Sequence, residues 1–197
     1  MIKFLNAESK NYQTKLIKFL DSRRSGKNID TTIVKKILKD VKLNKSKALL
    51  KYEKKFSNNK SIKIKDNELK NSIKSLDKKI KKSIDLAYNR IFNFHKKQQR
   101  KNIIYNDKYN NKLAYKYLPL QSVGIYVPAN LPSTLLMNSI PAKIAGVKRI
   151  VLANPKLNGK LNPAVLYAAR KVGIREMYSM GGAQAIASLA YIQKVNK

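Results

Sequence analysis

Three times after residue 119, a short apolar run bounded by turn residues is followed by a segment of helical period. "SVGIYVP" (122–128) is a buried-strand candidate closed by Pro128, and "PSTLLMNSIPAKIAGV" (132–147) follows as a helix. That helix has Ser133 or Thr134 near its cap and Gly146 at its end, with Pro141 expected to kink or restart it. "KRIVLANP" (148–155) is a second strand, and "NPAVLYAARKVG" (162–173) a helix with Asn162 as cap, Pro163 in its first turn and Gly173 past its end. "IREMYSM" (174–180) and "GGAQAIASLAYI" (181–192) supply a third strand and helix. Strand and helix alternating at this spacing call for a parallel sheet with crossover helices, a Rossmann-like α/β domain over 119–197. Cut after its third helix, such a sheet is expected to leave an edge strand uncovered.

Residues 1–100 read differently, as a helical arm. In "TTIVKKILKDVKLNKSKALLKYEKKF" (31–56), Val34, Ile37, Leu38 and Val41, then Leu49, Tyr52 and Phe56, recur at steps of three and four. The spacing predicts one apolar face on each of two helices, with Asp30 or Thr31 as N-cap of the first. "NELKNSIKSLDKKIKKSIDLAYNRIFNFHKKQ" (67–98) continues the period from Leu69 to Phe94 as one long amphipathic helix. Between arm and sheet, "KNIIYNDKYNNKLAYKYL" (101–118) alternates in part and reads as an exposed hairpin or two connecting strands.

The charge is lopsided. There are 43 basic and 11 acidic residues, a net +32, and all but one of the acids precede residue 119. A field of that size attracts polyanions without specificity, so one reading is a nucleic-acid or polyanion binder built on a retained enzyme scaffold. The lysines, however, are spread through helical periods with Asn and Ile instead of forming one stripe interleaved with aromatics. Drift onto solvated faces accounts for that distribution better. The sequence has no cysteine, which removes disulfides and thiol chemistry. It shows no secretory leader and no apolar run near the roughly 20 residues of a membrane span, so a cytoplasmic protein is expected.

In open parallel sheets, ligands sit at the carboxyl ends of the strands against helix N-termini. That singles out the loops after Val127, Asn154 and Met180. Gly181 and Gly182 let backbone approach closely there, and Gln184 offers an amide at the start of a helix; close helix packing is the competing reading of the same glycine pair. Tyr126, at the end of the first strand, is placed either to flank a ring or to fill the core. No catalytic set is evident. His95 is the only histidine, and Glu176 the only acid in the sheet region, so neither an acid–base pair nor a zinc site can be assembled there.

The order of blocks "SVGIYVP…PSTLLMNSIPAKIAGVKRIVLANP…NPAVLYAARKVGIREMYSMGGAQAIASLAY" resembles the N-terminal half of histidinol dehydrogenase. The likeness extends upstream through "KALLKYEKKF" and "IFNFHKKQ". It implies a zinc-dependent homodimer with Rossmann-like domains that oxidises L-histidinol to L-histidine in two NAD-dependent steps, through an aldehyde stage. On the matching positions it implies that Tyr126 and Gln184 contact NAD. A third contact, an asparagine in a "GPGN" loop, follows a stretch like the terminal "KVNK" (194–197). The acid–base pair, the zinc ligands and most substrate contacts lie in the family's second half. The expectation is therefore a fragment holding an incomplete cofactor platform, inactive by itself, or a half that pairs with a separately encoded C-terminal partner. One departure stands out: Ala129 and Asn130 occupy a shortened loop where the family usually carries glycines.

Overall fold

The computed structural model describes residues 4–24, 31–59 and 61–192. The chain divides into two units, Met1–Lys35 and Lys36–Lys197. The first unit contains α1 (Tyr12–Arg24), opened by the Tyr12 N–H on the Ser9 carbonyl at 2.8 Å. Helix α2 (Thr32–Ser57) begins there and continues into the second unit. Thr31 stands at its start, its carbonyl accepting the Lys35 N–H at 2.9 Å, as an N-cap residue does; Asp30 lies outside the described residues.

The two helices expected over 31–56 are present as two limbs of α2, broken at Lys45 (φ 48°, ψ −129°). Asp40 staples the break. It accepts from Asn44 Nδ2 at 2.7 Å on its own limb, and from Tyr52 Oη at 2.9 Å and Lys51 Nζ at 3.2 Å on the other. These donors, Asn44 foremost, hold the Asp40 carboxyl below its ordinary range. The buried face consists of Ile37, Val41, Ala48, Leu49 and Tyr52, whereas Phe56 is exposed.

The single long helix expected over 67–98 is two. Helix α3 (Asp66–Lys74) ends at Ser75, and α4 (Lys78–Lys96) starts afresh from Asp77. The Asp77 carboxylate accepts the Lys79 and Ile80 N–H groups at 2.6 and 3.3 Å, which is the N-cap role that aspartate fills well. Leu76 inside the break remains buried, so the apolar period runs on through a segment that is not helical.

The expected hairpin forms from β1 (Ile103–Asn106) and β2 (Lys112–Tyr115), antiparallel, with Ile103 opposite Tyr115 and all eight residues exposed. Asp107 closes it, its Oδ1 accepting the Tyr109 and Asn111 N–H groups at 2.9 and 2.8 Å.

The α/β region follows in the expected order. Strands β3 (Ser122–Tyr126), β4 (Arg149–Ala153) and β5 (Glu176–Tyr178) form one parallel sheet in the order β3-β4-β5. Val123 pairs with Ile150, and Leu152 with Met177. Helix α5 (Pro132–Ile144) joins β3 to β4, α6 (Pro163–Val172) joins β4 to β5, and α7 (Gly182–Tyr191) follows β5. The cap of α5 is Leu131, with Pro132 fixing the first turn and Ser133 and Thr134 directly behind it. Pro141 does not restart the helix; the ladder resumes with the Ala145 N–H on the Pro141 carbonyl at 2.9 Å. The carbonyl deprived of its donor belongs to Met137, on the exposed side, where water can replace the missing partner. Helix α6 matches its punctuation: Asn162 Oδ1 accepts the Ala164 N–H at 2.8 Å, and Gly173 ends it at φ 95°.

Strand alternation sends Ile125, Leu152 and Met177 to one face of the sheet, where they join a core with α3, α4, α5 and α6. The opposite face takes α7 and the second limb of α2 through Leu49, Ala153, Met180 and Ala185. Gly124 makes the approach of α7 possible, since a Cβ there would stand 2.8 Å from the Leu189 Cβ. Of the two edges of the sheet, β3 pairs with β4 alone among the described residues, and the outer edge of β5 is partly covered. Lys63 bridges Tyr178 antiparallel, and the Ser179 N–H donates to the Ile62 carbonyl at 2.7 Å.

Candidate functional site

The carboxyl ends of the three parallel strands deliver Tyr126, Asn154 and the turn at residues 180–182 to one end of the sheet. Asn154, fully buried, ties two of these loops together. Its Nδ2 donates to the Val127 and Pro128 carbonyls at 3.0 and 3.1 Å, while its backbone N–H donates to the Tyr178 carbonyl at 3.0 Å. Its Oδ1 is buried without a partner. An acceptor left in that state is a cost the fold carries at the place where a ligand would meet the sheet.

The glycine pair has two separate reasons to be glycine. Gly181 lies against the loop after β4, where a Cβ would come within 2.8 Å of the Pro155 Cβ. Gly182 adopts φ 65°, and a Cβ there would lie 2.9 Å from Gln184 Oε1. Close packing therefore explains the first glycine. The second keeps the Gln184 carbonyl oxygen clear.

Gln184, in the first turn of α7, is only 3% exposed. Its Nε2 donates to Glu53 Oε1 at 3.0 Å, and the same oxygen accepts the Gly181 N–H at 2.9 Å. Glu53 belongs to the second limb of α2 and is itself buried. The N-terminal end of α7 thus faces a carboxylate of the same chain. Tyr126 is half-buried and packs against the Leu49–Met180 cluster. Nearby, burial pushes the Tyr178 phenol up, with the Glu176 charge adding to it.

Neither of the other singled-out residues joins this end. Glu176 opens β5 and Arg149 opens β4, at the amino ends of the strands, where Arg149 grips both Glu176 oxygens through Nε (2.8 Å) and Nη2 (2.7 Å). His95 sits in the last turn of α4 with Nδ1 hydrogen-bonded to Gln98 Oε1 at 2.7 Å. Among the described residues, His, Asp and Glu do not gather in a group of three that could hold a metal ion. The "KVNK" segment lies outside the described residues. Two residues of the site escaped the sequence reading. Glu53 falls four positions after Leu49 on the buried face, which was the available signal; Asn154 marked the loop after the second strand, but a strand-end asparagine is an ordinary turn residue and its side chain drew no role.

A three-stranded parallel sheet with crossover helices, carrying buried amides where its strands end, defines an α/β protein of the open-sheet kind. The profile of the histidinol dehydrogenase family matches residues 21–197, and the chain belongs to that family. It is 52% identical to histidinol dehydrogenase of Pelagibacter ubique (strain HTCC1062), over all of this chain and 48% of the relative. The Agrobacterium fabrum enzyme is 36% identical over 95% of the chain and 45% of its own length. A crystal structure of histidinol dehydrogenase from Elizabethkingia anophelis superposes with TM-score 0.77 at 34% identity, covering 85% of this chain and 41% of that one. The chain spans about half the length of the curated relatives it matches. These comparisons place it in an oxidoreductase family of histidine biosynthesis and give no support to the polyanion-binding alternative.

Proposed function

We propose that this chain supplies the helical arm and the first part of the NAD platform of a histidinol dehydrogenase, an enzyme that converts L-histidinol to L-histidine through the aldehyde. The reading rests on family membership together with the convergence of Tyr126, Asn154 and Gln184 at the carboxyl ends of β3, β4 and the β5 turn. Bound NAD would accept one hydride in each of the two oxidations, with water entering at the aldehyde stage. The chain's own part is to bind and orient. Tyr126 would flank a ring of the dinucleotide, Gln184 would hydrogen-bond it, and Asn154 holds the Val127–Pro128 backbone in place beside them.

Zinc and the acid–base groups belong, on this reading, to the remainder of the enzyme, as does most of the histidinol site. The active species is a cytoplasmic homodimer, or a pair of this chain with a separately encoded second half. No helix of the described residues is long and apolar enough to cross a membrane.

The test uses the 197-residue protein with NAD+, histidinol and zinc. Binding of NAD+ that weakens about tenfold in Gln184→Ala, with no histidinol-dependent NADH formation, is the expected result. Turnover by the pure chain would overturn the assignment of the chemistry to the remainder of the enzyme. Unchanged NAD+ affinity in Gln184→Ala would overturn the role given to Gln184.

A further inference from the structure

The geometry points to Glu53 as a positioning residue that fixes which end of the Gln184 amide a ligand meets, an inference that rests on the cofactor reading of Gln184. The carboxylate of Glu53 is buried at 1% exposure, and one of its oxygens takes both the Gly181 N–H and Gln184 Nε2. A carboxylate only accepts, so the amide must turn its NH2 toward Glu53 and its carbonyl away. A neutral partner with both donors and acceptors would allow either orientation. The carbonyl oxygen then lies over Gly182, at the one position where a Cβ would come within 2.9 Å of it.

In a helix that opens with a capping box, a glutamine at this position reaches back to its own N-cap N–H. Here Glu53 takes that N–H, which leaves Gln184 Oε1 uninvolved in capping. Two consequences follow for the ligand. The group that meets Gln184 across Gly182 is a hydrogen-bond donor, such as a sugar hydroxyl or a carboxamide. It is also not an anion, because the N-terminal end of α7 already faces a buried carboxylate and a second negative charge would be repelled. The pyrophosphate of a dinucleotide is therefore held elsewhere.

The full chain, its Glu53→Gln and Gln184→Ala variants and the double variant provide the test. Without ligand, the Gln184 side-chain amide signals, assigned by their loss in Gln184→Ala, are expected to be displaced from free glutamine and slow to exchange in the wild type. In Glu53→Gln they should move toward the free position and exchange at least about tenfold faster, as expected for a lost buried hydrogen bond. Free-like signals in the wild type would overturn the inference even if the variant failed to fold. With NAD+, Glu53→Gln should weaken binding about tenfold in the wild-type background and hardly at all in the Gln184→Ala background. Equal loss in both backgrounds would show that Glu53 acts through the fold alone. Inorganic pyrophosphate should leave the Gly181 and Gln184 signals unmoved, and a saturable shift there would refute the neutral-donor assignment. If the wild-type chain does not bind NAD+, the cofactor reading falls, and the ligand-free signals still decide whether Glu53 orients Gln184.

Discussion

Asn154 and Gly181 set how closely the loops at the strand ends approach one another. Replacing Asn154 by alanine removes the donor to two backbone carbonyls, at Val127 and Pro128, and leaves a void at a fully buried position. The expected cost is about 2–3 kcal/mol, read as a lower denaturant midpoint with an unchanged slope. An Asn154→Asp change should cost at least as much, since a carboxylate would face the same two carbonyls. Retention of wild-type stability in both would mean that the β3 and β4 loops are held together by something other than this side chain. At Gly181 the constraint is contact with Pro155, not a special backbone angle, because its φ of −140° is ordinary extended backbone.

Among the elements, α4 and α6 are joined by a polar brace whose strength depends on pH. Asp85 on α4 receives Lys171 Nζ at 2.8 Å and Tyr167 Oη at 3.1 and 3.2 Å, both from α6. Lys171, first among these, holds the Asp85 carboxyl below its ordinary range. Since the folded state binds that proton less readily than the unfolded one, the stabilisation is complete above the usual carboxylate range and disappears as pH falls through the lowered value. Wild type should therefore exceed Asp85→Asn in stability near neutrality, by less than about 1 kcal/mol because both partners are a third exposed. The gap should close below about pH 4. A gap that persisted at low pH would assign the effect to packing. The elements themselves were mostly legible: strand runs, Asn162, Pro163 and Gly173 each mark a boundary by local chemistry that the fold keeps. The break at Ser75–Asp77 is hidden because Leu76 keeps the apolar period while leaving the helix, and a restart at Pro141 is avoided because the carbonyl it deprives of a donor lies on the exposed side of α5. Tyr126 and Gln184 were singled out by resemblance and position together, whereas the period of α2 placed Glu53 on the buried face without saying that it meets the start of α7.

For the molecule as a whole, the +32 charge should act on stability and nonspecific association alike. Like charges on the same chain repel, so added salt should raise the thermal midpoint, most of the effect arriving by about 0.1 M, where the Debye length is near 10 Å. RNA binding should be weak and lost between about 50 and 200 mM salt, as for bare charge. A defined site size that survives that range would revive a polyanion-binding role. On the proposed function, the strand ends and not the lysine-rich surface form the ligand site. The most direct measurement is an NAD+ titration of the chain, followed by backbone and side-chain amide resonances at moderate salt. Saturable shifts concentrated at Tyr126, Asn154 and residues 181–184 are expected. Shifts scattered over the lysine-rich helices and abolished by salt, with the strand ends silent, would contradict that function.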